Sequence, residues 1–146
     1  MRGRGGDVNP LRIPQGVAEE MLGHARAELP NEACGFLSGS LADRQVTTFH
    51  PARNIDASPL RYNVHPEDQV RITFAIEQAG EELVAIFHSH TRSAAVPSAT
   101  DRRTAMDPDP FYLIASLAHP DALPASALRA WRIFRGQAFE VPLTIG

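Results

Sequence analysis

Two histidines one residue apart, His88 and His90, close an uninterrupted apolar run over residues 83–87. The run is rich in branched and aromatic side chains and reads as a central strand buried on both faces. Along extended chain, residues two apart point to the same side, so both imidazoles can be presented to one point and one ion can take both. A loop over residues 91–97 then delivers Ser98 and Asp101 at a predicted helix start, where a hydroxyl and a carboxylate can turn back toward the histidines. The sum is two nitrogens, one oxygen and one open position.

Three protein ligands with an open fourth position is the arrangement of a catalytic zinc, whereas a structural zinc is closed by four ligands, usually with thiolates. The chain has one Cys, which argues against a closed site. An HxH pair alone says little, because two histidines on a strand are commonly surface or core residues. Asp101 by itself equally fits a first-turn charge favoured by the helix dipole. Taken together with Pro97 and Ser98, these residues make the pattern HxHxxxxxxPSxxD, which closely resembles the signature of the JAMM (MPN plus) metalloprotease family.

That resemblance, which spans about residues 11–141, implies that His88, His90 and Asp101 bind zinc. It also implies that Glu32, in the stretch NEACGFLSG, is the catalytic Glu. From spacing alone Glu32 would be a solvated residue after a helix, and Glu28 would compete equally. Many members carry Pro after the second His, and this chain has Thr91. HSHT followed by PSxTD resembles a bacterial branch related to hydrolases acting on sulfur-carrier proteins, so Thr91 bears on substrate more than on mechanism. The fold implied is α/β (α+β): a curved mixed sheet flanked by helices, with a deaminase-like architecture.

A hydrolase of this kind needs a base within hydrogen-bond reach of the attacking water, the role expected of Glu32. Ser98 can donate to the oxyanion of a tetrahedral intermediate, a contribution of about 2.7–4 kcal/mol in other oxyanion holes. Its competing role is an N-cap, since SATD is a capping-box-like start. Ser89 should point to the opposite side of the strand as a packing or hydrogen-bonding residue. Cys34 invites a nucleophile reading, but a lone Cys entering a strand is commonly a small buried apolar residue. His24, His50, His65 and His119 have no mutual spacing that suggests a second site, and Asp107 and Asp109 read as turn residues.

The remaining composition narrows the function classes. At 146 residues the chain has room for one domain, expected over residues 10–146 after a Gly- and Arg-rich disordered arm over residues 1–9. A hydrophobic content of 43% and a net charge of -3 argue against a general nucleic-acid binder. All fourteen basic residues are Arg, so no Schiff-base or phosphate-loop Lys is available. No apolar run approaches the roughly 20 residues needed to span a bilayer, and the N-terminus lacks the apolar core of a secretory signal. A cytoplasmic location without membrane insertion is expected.

The elements that must position the site follow from periodicity. A first helix is expected from Pro14 to Pro30, with Val17, Met21, Leu22, Ala25 and Leu29 on its buried face. Residues 33–38 and 45–50 read as an antiparallel hairpin turning at residues 42–44. Residues 60–64 read as a short strand at a sheet edge, open to an extended substrate tail. Pro66 opens a second helix with Val70, Thr73, Phe74, Ile76 and Glu77 inward, ending near Gly80. A third helix is expected over residues 99–106, a buried strand over 111–117, and a terminal hairpin from residues 128–134 and 138–141.

The function expected from the resemblance is zinc-dependent cleavage of an amide after the C-terminal diglycine of a small ubiquitin-like or sulfur-carrier protein. A non-haem iron oxygenase also uses two His and a carboxylate, but nothing in the order of elements suggests a jelly roll. A zinc deaminase needs two Cys ligands and fails on that count. A metal-free MPN-type protein-binding module is the remaining alternative, and it sits poorly with a full set of metal residues.

Overall fold

The computed structural model describes residues 9–146. The expected arm over residues 1–9 therefore lies outside the described residues except for Asn9. Twelve elements follow in order: β1 (Leu11–Ile13), α1 (Gln15–Ala27), β2 (Cys34–Ser40), β3 (Gln45–Ala52), α2 (Pro66–Gln78), β4 (Glu82–His90), α3 (Ala99–Thr104), β5 (Phe111–Ser116), α4 (Pro124–Ala127), β6 (Leu128–Phe134), β7 (Gln137–Val141) and β8 (Leu143–Ile145). All eight strands join one mixed sheet in the order β7-β6-β5-β4-β2-β3-β1-β8. Among the described residues no helix is long and apolar enough to cross a membrane.

Strand β4 lies near the middle, antiparallel to β2 and parallel to β5. Burial on both faces explains its apolar run, because helices and loops cover each side. On one side Phe87 and Val84 join α1 residues Ala18, Met21, Leu22 and Ala25 in the largest apolar cluster. On the other, Cys34, Phe36 and Ala52 pack against Ile72 and Ile76 of α2. A third cluster, built on Tyr112, Ile114, Trp131 and Ile133, receives Ala95 from the loop after β4. Gly39 permits the tight β2–β3 hairpin, since a Cβ there would collide with the Gln45 carbonyl oxygen.

Several expectations hold closely. Residues 128–134 form β6 as read, and α1, the β2–β3 hairpin and the terminal hairpin fall within two or three residues of their expected limits. The third helix is shorter than expected, because Ala105 leaves helical geometry (φ -73°, ψ 102°) ahead of the Asp107–Pro108 turn. The inward face of α2 is corrected except at Ile76. Val70 is 73% exposed and Phe74 61%, whereas Asp68, Ile72 and Ile76 are buried. Asp68 sets that rotation: its Oδ2 accepts from the Arg53 backbone N–H at 2.7 Å and from Arg53 Nε at 3.0 Å.

Residues 60–64 are also corrected, being neither a strand nor a sheet edge. The edges among the described residues are β7 and β8, and the segment touches strand geometry only in an isolated Asn54–Val64 bridge. One carboxamide removes its need for a neighbouring strand. Asn54 Oδ1 accepts from the backbone N–H groups of Asp56 and Asn63, and Asn54 Nδ2 donates to the carbonyls of Arg61 and Glu32. Residues 54–64 therefore form a loop folded around Asn54 rather than a strand seeking a partner.

Because Arg53 and Arg71 hold the Asp68 carboxyl well below its ordinary value of 3.8, the unfolded chain binds more protons than the folded one at low pH. That contribution is present above about pH 4 and lost as pH falls below it. Asp68→Asn is expected to lower stability at pH 7 and to lose less than the parent between pH 4 and pH 2. Urea unfolding at both ends of that range checks the sign, and an unchanged pH slope would remove Asp68 from the account.

Candidate metal centre

The last residues of β4 carry the site. Ser89 faces away from the two histidines, fully buried, and its Oγ accepts the Ala33 N–H at 2.8 Å while its own N–H donates to the Ala33 carbonyl at 3.0 Å. This is the packing and hydrogen-bonding role expected of it. His88 and His90 face the other way, 2% and 4% exposed, with their Nε2 atoms 3.2 Å apart. Asp101 Oδ2 lies 3.1 Å from His88 Nε2 and 3.0 Å from His90 Nε2. The three side chains form the one group among the described residues that could hold a metal ion.

Local chemistry aims each of them. Ser98 is the N-cap of α3 in a reciprocal capping box: its Oγ accepts the Asp101 N–H at 3.0 Å, and its N–H donates to Asp101 Oδ2 at 2.9 Å. The cap thus turns the Asp101 carboxylate toward the histidines. His90 Nδ1 donates to the Ala94 carbonyl at 2.8 Å, leaving Nε2 with its lone pair inward. The loop supplying Ala94 is fixed on either side, by Ser116 Oγ donating to the Ser93 carbonyl and by Trp131 Nε1 donating to the Ala95 carbonyl.

The donor set fits a cation. A carboxylate only accepts, and in the tautomers that protonate Nδ1 both imidazole Nε2 atoms accept too; three lone-pair atoms then lie within 3.2 Å and call for a proton or an ion among them. Tetrahedral zinc with ligands about 2.0–2.1 Å away has ligand atoms about 3.3 Å apart. The observed triangle is only slightly tighter. Without an ion, a proton does part of this work. Burial opposes charge on His90, but hydrogen bonds to Asp101 and Ala94 push it upward overall. Complete burial pushes His88 down. Burial would raise the Asp101 carboxyl, yet hydrogen bonds from both histidines hold it well below the usual range.

Glu32 is 4% exposed, not the solvated residue that spacing alone suggests, and its Oε1 has no hydrogen-bond partner among the described residues. Desolvation raises its pKa to about 7, with His90 lowering it and Asp101 raising it. Its backbone is held to the loop of residues 54–64: the Glu32 N–H donates to the Ser58 carbonyl at 2.8 Å, and Asn54 Nδ2 donates to the Glu32 carbonyl at 3.1 Å. Glu28, the rival candidate, is only half-buried at the C-cap of α1.

Sequence reasoning put Tyr62 on the segment offered to substrate and not at the metal centre. Its ring stacks on His88, centroids 4.5 Å apart and planes 20° from parallel. Burial holds its hydroxyl well above the ordinary phenol value, so it remains neutral. Cys34 is fully buried and its thiol is pushed up to about 12 by desolvation, which makes it an inert packing residue. His24, His50 and His65 each bond locally, to the Cys34 and Ala52 carbonyls, to Ser38 Oγ and to the Glu67 N–H.

Residues 14–134 match the family described as prokaryotic homologs of the JAB domain. The chain belongs to that family. Its relatives include the "CysO-cysteine peptidase" of Mycobacterium tuberculosis, 35% identical over 142 residues that cover 97% of this chain and 95% of that protein. The "Desampylase" of Haloferax volcanii is 42% identical over 111 residues, covering 73% of this chain and 80% of that one. A protein of Desulfitobacterium hafniense with a known solution structure superposes with a TM-score of 0.83 at 34% identity, over 92% of both chains. The expected JAMM resemblance and mixed α+β fold are therefore shown, and the chain is a JAMM-type metallopeptidase.

Removing the Ser89 hydroxyl leaves the buried Ala33 N–H, next to Glu32, without its acceptor. Ser89→Ala is therefore expected to cost about 1–3 kcal/mol of stability. Chemical denaturation reads that cost, and a loss below about 0.5 kcal/mol would show that the hydroxyl does not tie these two strand ends together.

Proposed function

We propose that this chain is a zinc-dependent hydrolase that cleaves the amide after the C-terminal diglycine of a small ubiquitin-like or sulfur-carrier protein. The observation that carries the reading is a buried carboxylate, Glu32, whose Oε1 has no hydrogen-bond partner among the described residues and whose pKa is moved by the charges of His90 and Asp101, two members of a three-atom donor set suited to a cation. In this reading His88, His90 and Asp101 hold the zinc, and Glu32 and Ser98 are the catalytic residues. The relatives named for carrier-protein substrates support the substrate class. One unit spanning residues 10–146 would carry one such site.

Zinc, when bound, supplies an acidified water and a Lewis acid for the scissile carbonyl. Glu32 accepts the proton of the attacking water at its carboxylate and passes it to the leaving amine nitrogen as the C–N bond breaks. A carboxyl near neutral suits both transfers, since it can take a proton and release it at similar cost. Ser98 Oγ already accepts from the Asp101 N–H, so its hydroxyl hydrogen remains available to the oxyanion. The capping and oxyanion roles weighed for Ser98 are therefore compatible. Glycine beside the scissile carbonyl suits a site this enclosed, because it has no Cβ to obstruct approach.

The test combines metal analysis with turnover. The parent is expected to hold about one zinc per chain and to shorten a carrier ending in Gly-Gly-Cys, or joined through Gly-Gly to a lysine amine, by the mass of the leaving group. Glu32→Gln should keep the zinc and lose at least about 100-fold in turnover, the scale of general acid–base catalysis. Cys34→Ser should retain substantial activity. Iron in place of zinc under metal-replete conditions, or full turnover in Glu32→Gln, would overturn the assignment.

A further inference from the structure

The two histidines at the end of β4 are held by different physical means. His90 is oriented by a hydrogen bond from Nδ1 to the Ala94 carbonyl. His88 has no equivalent: its Nδ1 is buried and finds no hydrogen-bond partner among the described residues. A ring that is 2% exposed and is to present Nε2 toward Asp101 must be prevented from rotating about its Cβ–Cγ bond. Metal-binding histidines almost always receive that constraint through the second ring nitrogen. Here a flat surface lies against the ring instead.

That surface is Tyr62, stacked on His88 with centroids 4.5 Å apart and planes 20° from parallel. A near-parallel stack at this spacing admits ring slip more readily than ring tilt, so it fixes the plane in which Nε2 points. Tyr62 also packs against the cluster of Cys34, Phe36, Ala52, Ile72 and Ile76. Its loop is closed by three hydrogen bonds of Asn54, two of them flanking Tyr62 directly through the Arg61 carbonyl and the Asn63 N–H. The ring is thus supported from the core and from its own backbone.

We infer that Tyr62 is a positioning residue for the metal centre, its ring replacing the missing hydrogen bond at His88. The inference rests on the proposed function for the consequence it has on metal binding, although the stack itself does not. Loss of the flat ring should weaken the metal site more than it weakens the fold. Phenylalanine should substitute for tyrosine, because the face of the ring and not the hydroxyl makes the contact.

The experiment has two arms. In metal-free protein, the His88 ring protons should resonate upfield through the ring current of residue 62 in the parent and in Tyr62→Phe, and move downfield in Tyr62→Leu. In the second arm, zinc affinity measured by competition with a chromophoric chelator should fall about 10–100-fold in Tyr62→Leu, the scale seen for supporting partners of metal ligands, and stay within about threefold of the parent in Tyr62→Phe. Thermal unfolding of the metal-free variants separates packing, since leucine keeps most of the apolar bulk. Upfield resonances that persist in Tyr62→Leu, or unchanged zinc affinity in a folded Tyr62→Leu, would overturn the inference. A parent that shows the upfield resonances but binds no zinc would overturn the proposed function and with it the metal consequence, leaving the stack as packing alone.

Discussion

Three atoms able to act as ligands, two imidazole nitrogens and a carboxylate oxygen, are held within 3.2 Å of one another at the end of a buried strand. Water would ordinarily separate such groups, and burial removes that remedy. Their closeness must therefore be imposed by the rest of the chain. The strand supplies part of the force through its period of two, which places His88 and His90 on one face whatever their mutual repulsion. The capping box supplies more, because the Ser98 N–H and the helix start hold Asp101 where a solvated carboxylate would drift away.

The outer supports are graded by what each can prevent. Hydrogen bonds from Ser116 and Trp131 fix the loop that offers Ala94 to His90, and they come from β5 and β6, so the sheet itself indexes that ring. At His88 no hydrogen bond to Nδ1 is found among the described residues, and a loop folded around Asn54 brings up Tyr62. The same carboxamide donates to the Glu32 carbonyl. One side chain, 22 residues from the candidate base in sequence, thus links that base to the ring covering a candidate ligand.

What was legible in the sequence was local. The nearness of His88, His90 and Asp101 follows from strand alternation and a capping pattern four residues long, and β6 declared itself through alternation around Trp131. What escaped depends on distant partners. Strands β1 and β8, three residues each, exist because Leu11–Ile13 and Leu143–Ile145 pair in parallel, and so short a segment carries no period of its own. The face of α2 was misread because Val70 and Phe74 are apolar while the decisive contact is polar, between Asp68 and Arg53. Residues 60–64 looked like a strand because their alternation is real, but Asn54 takes the main-chain groups that a neighbouring strand would have used. Glu32 followed a helix and read as solvated, and only the family resemblance singled it out.

Glu32 also shows why the sheet register matters to chemistry. Cys34 pairs with His88 across β2 and β4, and Ala33 exchanges two hydrogen bonds with Ser89 just beyond. The backbone positions of the carboxylate and of the histidines are therefore set by the same ladder, within two residues of each other on facing strands. A slip of one residue would turn His88 and His90 to the α1 side and bring Phe87 and Ser89 to the Tyr62 side, destroying core and site together. The bulge in this pairing lies farther back, between Leu37 and Ser38, so the register is unbroken from Leu37 to the site. The backbone separation between the candidate base and the candidate ligands is thus held by main-chain hydrogen bonds. The burial that keeps this ladder intact is also what raises the Glu32 carboxyl toward neutrality.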